Sequence, residues 1–206
     1  MRGLYAITPD ESDSGRLVAL AHAAVEGGAR VLQSRNKLAG DDQREREARA
    51  LCGLCCSAGV IFIVNDDAQL ALRVDADGVH LGRDDGDLRS ARALLGKRLI
   101  GVSCYDQLDL ARAAVARGAD YVAFGSVFPS ATKPAAVRAP LGLFAQARSL
   151  GVPLVAIGGI TLQNAPQLVA AGADCVAVIA ELFSAPDVAA HARAYDELFT
   201  SRIPST

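Results

Sequence analysis

Charged and amide side chains follow an apolar run in the first part of this chain of 206 residues. The residues at this point are Gln33, Ser34, Arg35, Asn36 and Lys37. Alternate side chains of an extended segment point the same way, so Gln33, Arg35 and Lys37 are expected to face together. Two cations and an amide on one side form a clamp for an anion. Taken alone, Arg35 and Lys37 are also typical of ordinary surface charges at a strand exit.

Carboxylates follow the next two apolar runs. Asn65, Asp66 and Asp67 end one run, and Asp85 lies shortly after the other. Oxygen ligands of this kind suit Mg²⁺, which binds few protein groups and completes its shell with water and substrate phosphate. A cationic clamp beside two carboxylates predicts a metal-bridged polyphosphate. An alternative is that Asp66 or Asp67 caps the short helix that follows.

Later residues predict a second anion site. Gly158 and Gly159 end an apolar run and would let the backbone approach a ligand closely, while a helical pattern from Leu162 would offer free N–H groups to a phosphate. The last run ends in Ile179 and Ala180, whose amides could complete this site.

Other polar groups lie between these two sites in chain order. Ser103 ends another apolar run, and a later loop contains Ser130, Ala131, Thr132 and Lys133. His80 lies inside a strand-like run, where a hydrogen-bonded packing residue is as good an interpretation as a general base, so we assign it no catalytic role.

The elements that would position these groups are strands alternating with helices. The candidate strands are 4–8, 30–35, 60–65, 78–82, 99–104, 121–126, 153–159 and 175–180. Most are continuous apolar runs, as expected for parallel strands covered on both faces, and alanine- and leucine-rich helical patterns lie between them. Polar or glycine groups follow seven of the eight strands, and the pattern predicts an α/β fold, a single (β/α)8 TIM barrel whose site lies at one end.

Composition limits the classes of function. A net charge of −2 and a pI near 5.9 argue against a general nucleic-acid surface. No apolar run approaches the roughly 20 residues of a membrane span, and the N-terminus lacks the form of a signal peptide. We therefore expect one domain over residues 1–206, a cytoplasmic protein, small phosphorylated substrates and no membrane partner; a homo-oligomer is compatible with this fold.

Two further patterns have plain interpretations. Cys52 and Cys55 form a Cys-x-x-Cys pattern, but no second pair has metal spacing, so reduced helix residues are the better interpretation. The run from Arg44 to Glu47 is most simply a solvated helix face, with Glu45 and Arg49 spaced for an ion pair.

Over almost its whole length the chain resembles the thiamine phosphate synthase family. The matching segments are Gly3-Leu4-Tyr5, Gln33-x-Arg35-x-Lys37, Asn65-Asp66, Asp77-Gly78-Val79-His80-Leu81-Gly82 with Asp85, Gly101-Val102-Ser103, Ala119-Asp120-Tyr121-Val122 with Gly125, Thr132-Lys133 and Ala156-Ile157-Gly158-Gly159-Ile160. The resemblance implies a transferase that joins 4-amino-2-methyl-5-hydroxymethylpyrimidine diphosphate to hydroxyethylthiazole phosphate, giving thiamine phosphate and pyrophosphate.

The resemblance also implies roles for residues. Asp66 and Asp85 would hold Mg²⁺ as the cofactor. The pyrimidine diphosphate would contact Gln33, Ser34, Arg35, Asn36, Lys37, Asn65, Ser103 and Lys133, and catalysis would use Arg35, Lys37, Ser103 and Lys133 from this set. The thiazole phosphate would lie against Ser130, Ala131, Thr132, Gly159, Ile179 and Ala180.

Four positions depart from the family pattern, and two other functions stay open. Asn36 stands where glutamate is frequent, Arg83 where glutamine is, Ser130 where threonine is, and Ala180 where a serine commonly offers a hydroxyl. A metal-independent thiazole tautomerase is one alternative, although it would not need both aspartates beside a full clamp. A noncatalytic barrel that binds phosphorylated ligands is the other.

Overall fold

The computed structural model describes residues 1–83, 85–129 and 137–200. Eight parallel strands close into a barrel in sequence order, with β8 paired to β1. The strands are β1 Gly3–Ile7, β2 Val31–Ser34, β3 Ile61–Asn65, β4 Gly78–Leu81, β5 Leu99–Tyr105, β6 Tyr121–Phe124, β7 Leu154–Ile157 and β8 Cys175–Val178. All eight predicted strands and the predicted barrel are confirmed, with most ends shifted by one or two residues.

Helices follow the strands on the outside of the barrel. They are α1 Ser14–Glu26, α2 Asp41–Ala58, α3 Ala68–Arg73, α4 Leu88–Leu95, α5 Leu108–Ala116, α6 Gly142–Ala147, α7 Ala165–Ala171, α8 Ala180–Phe183 and α9 Val188–Thr200. Among the described residues, no helix is both long and apolar enough to cross a membrane.

Two apolar layers explain why the strands are hydrophobic on both faces. One layer fills the inside of the barrel and includes Tyr5, Ile63, Tyr121 and Val155, while the other packs the outer strand faces against the helices. Burial on both sides leaves no solvent face, so the strands lack the alternation of a half-exposed sheet.

Local signals fix where several helices begin and end. The carboxylates of Asp67 and Asp87 accept hydrogen bonds from the first-turn amides of α3 and α4, as N-caps do. Gly28, Gly118 and Gly172, which follow α1, α5 and α7, have φ of 102°, 97° and 107°. A side chain is disfavoured in that conformation, which accounts for glycine at these turns into the next strand.

The cysteines form no disulfide. All five are free, and burial raises the pKa of the Cys55 thiol to about 12. A thiol protonated at neutral pH is a poor nucleophile and a poor metal ligand, so the interpretation of reduced helix residues agrees with the fold.

Candidate active site

Asp66 and Asp67 follow β3 and have different environments. The Asp67 side chain accepts a hydrogen bond from the Leu70 amide at 2.8 Å and caps α3. Asp66 has a left-handed backbone with φ of 65°, and its amide donates to the carbonyl oxygen of His80 on β4 at 2.8 Å. The capping role therefore belongs to Asp67, and the Asp66 carboxylate is directed to other partners.

The Asp66 carboxyl lies against Asp85. Burial, followed by the hydrogen bond and the negative charge of Asp85, raises the pKa of Asp66 to about 6, while Lys37 and Asn65 act in the opposite direction. The loop holds Asp85 through a hydrogen bond of 2.8 Å from the Gly82 amide. Asp85, Lys37 and Asn65 thus all lie close enough to Asp66 to act on its carboxyl.

This donor set fits a hard divalent cation. Two partly desolvated carboxylates repel each other unless one is protonated or a cation lies between them. In the described part of the chain, no group of three or more His, Cys, Asp or Glu residues is placed to hold a metal. Two carboxylates with room for substrate oxygens match the preference of Mg²⁺ for few protein ligands, and a closed all-protein site for another metal is a poorer fit.

The loop after β2 carries the two cations, and a residue of the loop after β1 orients it. β2 ends at Ser34, so Arg35 and Lys37 lie beyond the strand. The Arg35 guanidinium donates to both carboxylate oxygens of Asp10 at 3.1 and 3.2 Å, and the Lys37 amide donates to Asp10 at 2.7 Å. Asp10 was not among the residues predicted for the site, although a carboxylate two residues beyond the first strand run was the available signal.

Asn36 points away from the cations and into the protein. Its amide nitrogen donates to the Glu47 carboxylate at 3.1 Å and to the Glu11 carbonyl at 2.6 Å. Glu47 is 2% exposed and also accepts from Ser14 at 2.7 Å and Gln43 at 2.9 Å. The interpretation of Glu47 as part of a solvated helix face is therefore wrong, since three donors compensate its burial; the ion pair between Glu45 and Arg49 is present.

The inside of the barrel holds a continuous chain of polar side chains. Gln33 donates to the Tyr5 hydroxyl at 2.8 Å, and Tyr5 lies 2.9 Å from the Tyr121 hydroxyl. His80 Nδ1 lies 3.1 Å from the Tyr121 hydroxyl, and His80 Nε2 lies 2.9 Å from Ser103 Oγ. Desolvation inside the barrel lowers the pKa of His80 to about 4, so the ring is neutral at pH 7. The sequence signal for this polar chain was the presence of tyrosines inside apolar strand runs, and these tyrosines were not among the predicted site residues.

The loop after β7 packs against the loop after β6. A β-carbon on Gly158 would lie 2.2 Å from Ser126 Oγ, and one on Gly159 would lie 2.1 Å from the Pro129 carbonyl oxygen. Both glycines have positive φ, 102° and 63°. Their lack of side chains thus serves contact between two loops, in addition to any approach of a ligand.

The predicted start of the next helix is wrong. α7 begins at Ala165 and not at Leu162, because the Asn164 side chain accepts from the Thr161 amide at 2.8 Å and donates to the Gly159 carbonyl at 3.0 Å. These bonds stabilise a turn after the glycines. Pro166 in the first turn of α7 lacks an N–H group, so this helix offers fewer amides to a phosphate than the sequence suggested.

Ile179 and Ala180 lie at the junction of β8 and α8. α8 begins at Ala180, so its first amides have no acceptor within the helix. Glu181 accepts from the Tyr195 hydroxyl at 2.6 Å and lies 2.8 Å from His191 Nε2, which ties this junction to α9.

Of the other predicted site residues, some line a cavity and some lie outside the described part of the chain. Ser130, Ala131, Thr132 and Lys133 lie outside the described residues. A cavity of about 290 Å³ at the carboxyl end of the barrel brings together Ser34, Arg35, Lys37, Asn65 and Asp66.

These features define a class of protein. A (β/α)8 barrel with a cation-and-carboxylate cluster over β2 to β4 is typical of enzymes that bind phosphorylated small molecules at the carboxyl end of the barrel. Comparison with known families identifies the particular one. The thiamine monophosphate synthase family model matches residues 4–182, and the chain belongs to this family.

Relatives with curated names agree. The chain is 58% identical over 203 residues to the thiamine-phosphate synthase of Chromobacterium violaceum, covering 98% of each chain. It is 56% identical over 200 residues to that of Methylobacillus flagellatus, covering 97% of this chain and 96% of the relative. The chain is therefore an enzyme of the transferase class.

Solved structures agree as well. Thiamine phosphate pyrophosphorylase from Pyrococcus furiosus superposes with a TM-score of 0.86 at 33% identity, covering 97% of this chain and 96% of that structure. A 3-hexulose-6-phosphate synthase superposes with a TM-score of 0.70 at 19% identity, covering 97% of this chain and 100% of that structure. The second likeness shows the barrel fold alone.

Proposed function

We propose that this chain makes thiamine phosphate with the assistance of Mg²⁺. It joins 4-amino-2-methyl-5-hydroxymethylpyrimidine diphosphate to hydroxyethylthiazole phosphate and releases pyrophosphate. Family membership and the named relatives support the condensation. The convergence of Asp66, Asp85 and Lys37 is the observation that supports a metal-assisted departure of pyrophosphate.

The diphosphate end of the pyrimidine substrate is proposed to bind over β2 to β5. Arg35 and Lys37 supply positive charge, Ser34, Asn65 and Ser103 supply polar contacts, and Lys133 completes the set from the loop after β6. Gln33 faces the pyrimidine from inside the barrel. Asn36 is proposed to act indirectly, because its bonds to Glu11 and Glu47 hold the loop that carries both cations.

Carbon–oxygen bond cleavage at the pyrimidine CH₂ group transfers negative charge to the departing pyrophosphate. Arg35, Lys37 and Lys133 stabilise that charge, and Ser103 donates a hydrogen bond. Mg²⁺ bound by Asp66 and Asp85 would supply further positive charge at the leaving oxygens. The thiazole nitrogen then attacks the carbon with its lone pair. It carries no proton, so the step needs no general base.

The thiazole phosphate is proposed to bind where the loops after β6, β7 and β8 meet. Gly159, Ile179 and Ala180 offer backbone contacts, and Ser130, Ala131 and Thr132 lie on the loop after β6. Ala180 has no hydroxyl, so backbone amides at the start of α8 carry more of the phosphate here than in relatives with serine.

A thiazole tautomerase is a poorer fit. Such an enzyme needs no metal, and nothing in its reaction calls for an Asp66 carboxyl whose pKa is raised by burial and by the neighbouring Asp85, beside a lysine. We further propose that the chain acts as one domain on small phosphorylated molecules.

The test is a reaction that contains the purified chain and both substrates. With Mg²⁺, thiamine phosphate and pyrophosphate should form in equal amounts; with a chelator, both should stop, and excess Mg²⁺ should restore them. A chain that binds both substrates without releasing pyrophosphate would be a ligand-binding barrel. Isomerisation of the thiazole with chelator present would identify a tautomerase.

A further inference from the structure

Thr8 is a buried polar residue to which the proposed mechanism gives no role. It directly follows β1, is fully buried, and its amide donates to the Gln33 carbonyl at 3.0 Å, as in the pairing of β1 with β2. Its hydroxyl makes two bonds with one residue. Thr8 Oγ1 donates to the Arg35 carbonyl at 2.8 Å and accepts from the Arg35 amide at 2.8 Å. The hydroxyl is therefore directed at the main chain of a residue proposed to act in catalysis.

These two bonds replace a part of the parallel ladder. The last pair between the strands is Ile7 with Gln33, and Arg35 lies two residues beyond it. If the pairing continued, the amide and the carbonyl of Arg35 would both bond to main-chain groups of the segment after β1. The Thr8 hydroxyl takes both places, so Arg35 keeps the direction of β2 although that strand ends at Ser34. Residues two apart in an extended segment share a face, which keeps Arg35 on the face of Gln33.

The same two bonds release the segment after β1 from the ladder. Because the Arg35 main chain is already satisfied, Asp10 approaches with its side chain where a strand would use its backbone. The Asp10 carboxylate accepts from the Arg35 guanidinium at 3.1 and 3.2 Å and from the Lys37 amide at 2.7 Å. Thr8 thus holds the main chain of Arg35, and Asp10 holds its guanidinium.

Loss of the Thr8 hydroxyl would displace Arg35. Valine has the shape of threonine without a polar atom, so the Arg35 amide and carbonyl would face an apolar group at a position closed to water. The backbone at Arg35 would have to shift to find other partners, and its guanidinium would shift with it. A small displacement of a group that binds a charged ligand weakens its action even when the fold persists.

We propose that Thr8 is a positioning residue, which acts through the Arg35 backbone and sets where the guanidinium meets the diphosphate of the pyrimidine substrate. Thr8 itself contacts no substrate. The inference rests on the proposed function at one point, the assignment of Arg35 to the diphosphate end of the substrate. It gives the end of β1 a part in a site whose cations lie after β2.

The test measures the affinity of the chain for inorganic pyrophosphate with Mg²⁺ by calorimetry, in the absence of turnover. We expect Thr8→Val to bind pyrophosphate about tenfold more weakly than the wild type, the scale of one hydrogen bond with a charged group. Thr8→Ser keeps the hydroxyl, so it should bind pyrophosphate nearly as well as the wild type.

A double variant separates positioning from general damage. If Thr8 acts through Arg35, then Thr8→Val should have almost no effect on the affinity of a chain that already carries Arg35→Gln, which keeps Lys37 for binding. In that chain Thr8→Val should still lower the melting temperature, because the main chain of residue 35 still loses its partners. A purely structural role predicts the same change of affinity with and without Arg35.

Tyr195→Phe is the matched control. It also removes the hydroxyl of a fully buried side chain, one that donates to Glu181 at 2.6 Å, but Tyr195 lies on α9 outside the barrel. Its stability should fall, and its affinity for pyrophosphate should equal that of the wild type.

The inference is overturned by wild-type affinity in folded Thr8→Val, by equal losses with and without Arg35, or by a loss in Thr8→Ser as large as that in Thr8→Val. A wild type that binds no pyrophosphate overturns it as well. If Thr8→Val shows no thermal unfolding transition, Thr8→Cys takes its place, because a thiol is similar in size and a weaker hydrogen-bonding group. The proposed function fails on a different result, the absence of thiamine phosphate from the wild-type reaction.

Discussion

At the scale of single residues, neighbours in sequence have different tasks. Asp67 caps a helix, while Asp66 has a left-handed backbone and its carboxylate lies against Asp85. Asn36 is buried against Glu47, while Lys37 extends toward the carboxylate pair. Residue type alone does not separate these roles, because each pair offers similar chemistry at adjacent positions.

Removing either carboxylate of the pair should abolish metal-dependent turnover. Asp66→Asn and Asp85→Asn keep the size of the side chain and remove the charge that a divalent cation needs. We expect turnover to fall by more than about a hundredfold, the scale of losing one major electrostatic contribution to the transition state. Without metal, neither variant should melt below the wild type, which separates this loss from misfolding.

Asp67→Asn is the control for that prediction. Asparagine is as good an N-cap as aspartate, so α3 should keep its start and turnover should stay near normal. Equal losses in all three variants, or near-normal rates in Asp66→Asn and Asp85→Asn, would contradict the assignment of Mg²⁺ to this pair.

Asp10 should matter through the cations that it orients. Asp10→Ala removes two contacts to the Arg35 guanidinium and the acceptor of the Lys37 amide. We expect the KM for the pyrimidine diphosphate to rise about tenfold, the effect of losing one to two hydrogen bonds with charged groups. The KM for the thiazole phosphate should not change.

Asp13→Ala provides the comparison for Asp10→Ala. It removes an equal charge from the same loop but only uncaps α1, so it should lower stability by about 1 kcal/mol and leave both KM values unchanged. A lower KM in Asp10→Ala would mean that Asp10 merely competes with the substrate for Arg35.

At the scale of elements, the site depends on loops that pack on one another. The two glycines after β7 accommodate the loop after β6, and Glu181 of α8 is held by α9. A sequence pattern identifies glycines and predicts close approach, but it does not say whether the approaching group is a ligand or another loop. The structure shows that protein atoms use this space.

Gly159→Ala should therefore damage both stability and thiazole phosphate binding. The new β-carbon would meet the Pro129 carbonyl oxygen at 2.1 Å, and φ of 63° adds about 1–2 kcal/mol of backbone cost for a residue other than glycine. We expect a lower midpoint of denaturation than in the wild type. The KM for the thiazole phosphate should rise above its wild-type value by a larger factor than the KM for the pyrimidine diphosphate.

Gly53→Ala is the opposite case. Gly53 lies inside α2, and beyond its chain neighbours and the backbone of its own helix no atom lies within 4 Å of a new β-carbon, so alanine should stabilise the chain by about 0.5–1 kcal/mol and leave the kinetics unchanged. The prediction for Gly159→Ala would be contradicted by a variant as stable as the wild type with normal KM values. Such a variant would show that the loops after β6 and β7 can separate without loss of stability or of substrate binding.

At the scale of the whole molecule, the sequence predicted the barrel because one physical cause acts along the entire chain. Strands buried on both faces must be apolar throughout, so each of the eight was visible locally. The polar groups after β2, β3 and β4 were visible for a related reason, because parallel strands bring their carboxyl ends together.

Contacts across the barrel were not predictable in this way. Tyr5 and Tyr121 are 116 residues apart and meet inside the barrel, and each looks like an ordinary apolar strand residue. Glu47 looks like a surface charge until its three donors are known. Periodicity assigns a residue to a face, but the partner on that face depends on strand register and loop packing.

The pH dependence of stability is a property of the whole fold that the site controls. The folded-state pKa of Asp66 is raised from 3.8 to about 6, so its contribution to stability is fully present below pH 3.8 and is lost as pH rises through about 6. His80 has the opposite sign: its pKa is lowered from 6.5 to about 4, so its contribution is present above pH 6.5 and is lost as pH falls through about 4. The two effects oppose each other over the same range.

Differences in melting temperature between the wild type and Asp66→Asn should separate the contribution of Asp66 from that of His80. Without metal, replacing Asp66 by Asn should raise the melting temperature relative to the wild type at pH 7.5 more than at pH 5, because only the wild type ionises at this position. If the ionised pair holds Mg²⁺ as proposed, saturating Mg²⁺ should raise the melting temperature of the wild type at pH 7.5, raise it less at pH 5, and leave Asp66→Asn nearly unaffected. Equal shifts by Mg²⁺ in both proteins at both pH values would show that the ion acts elsewhere.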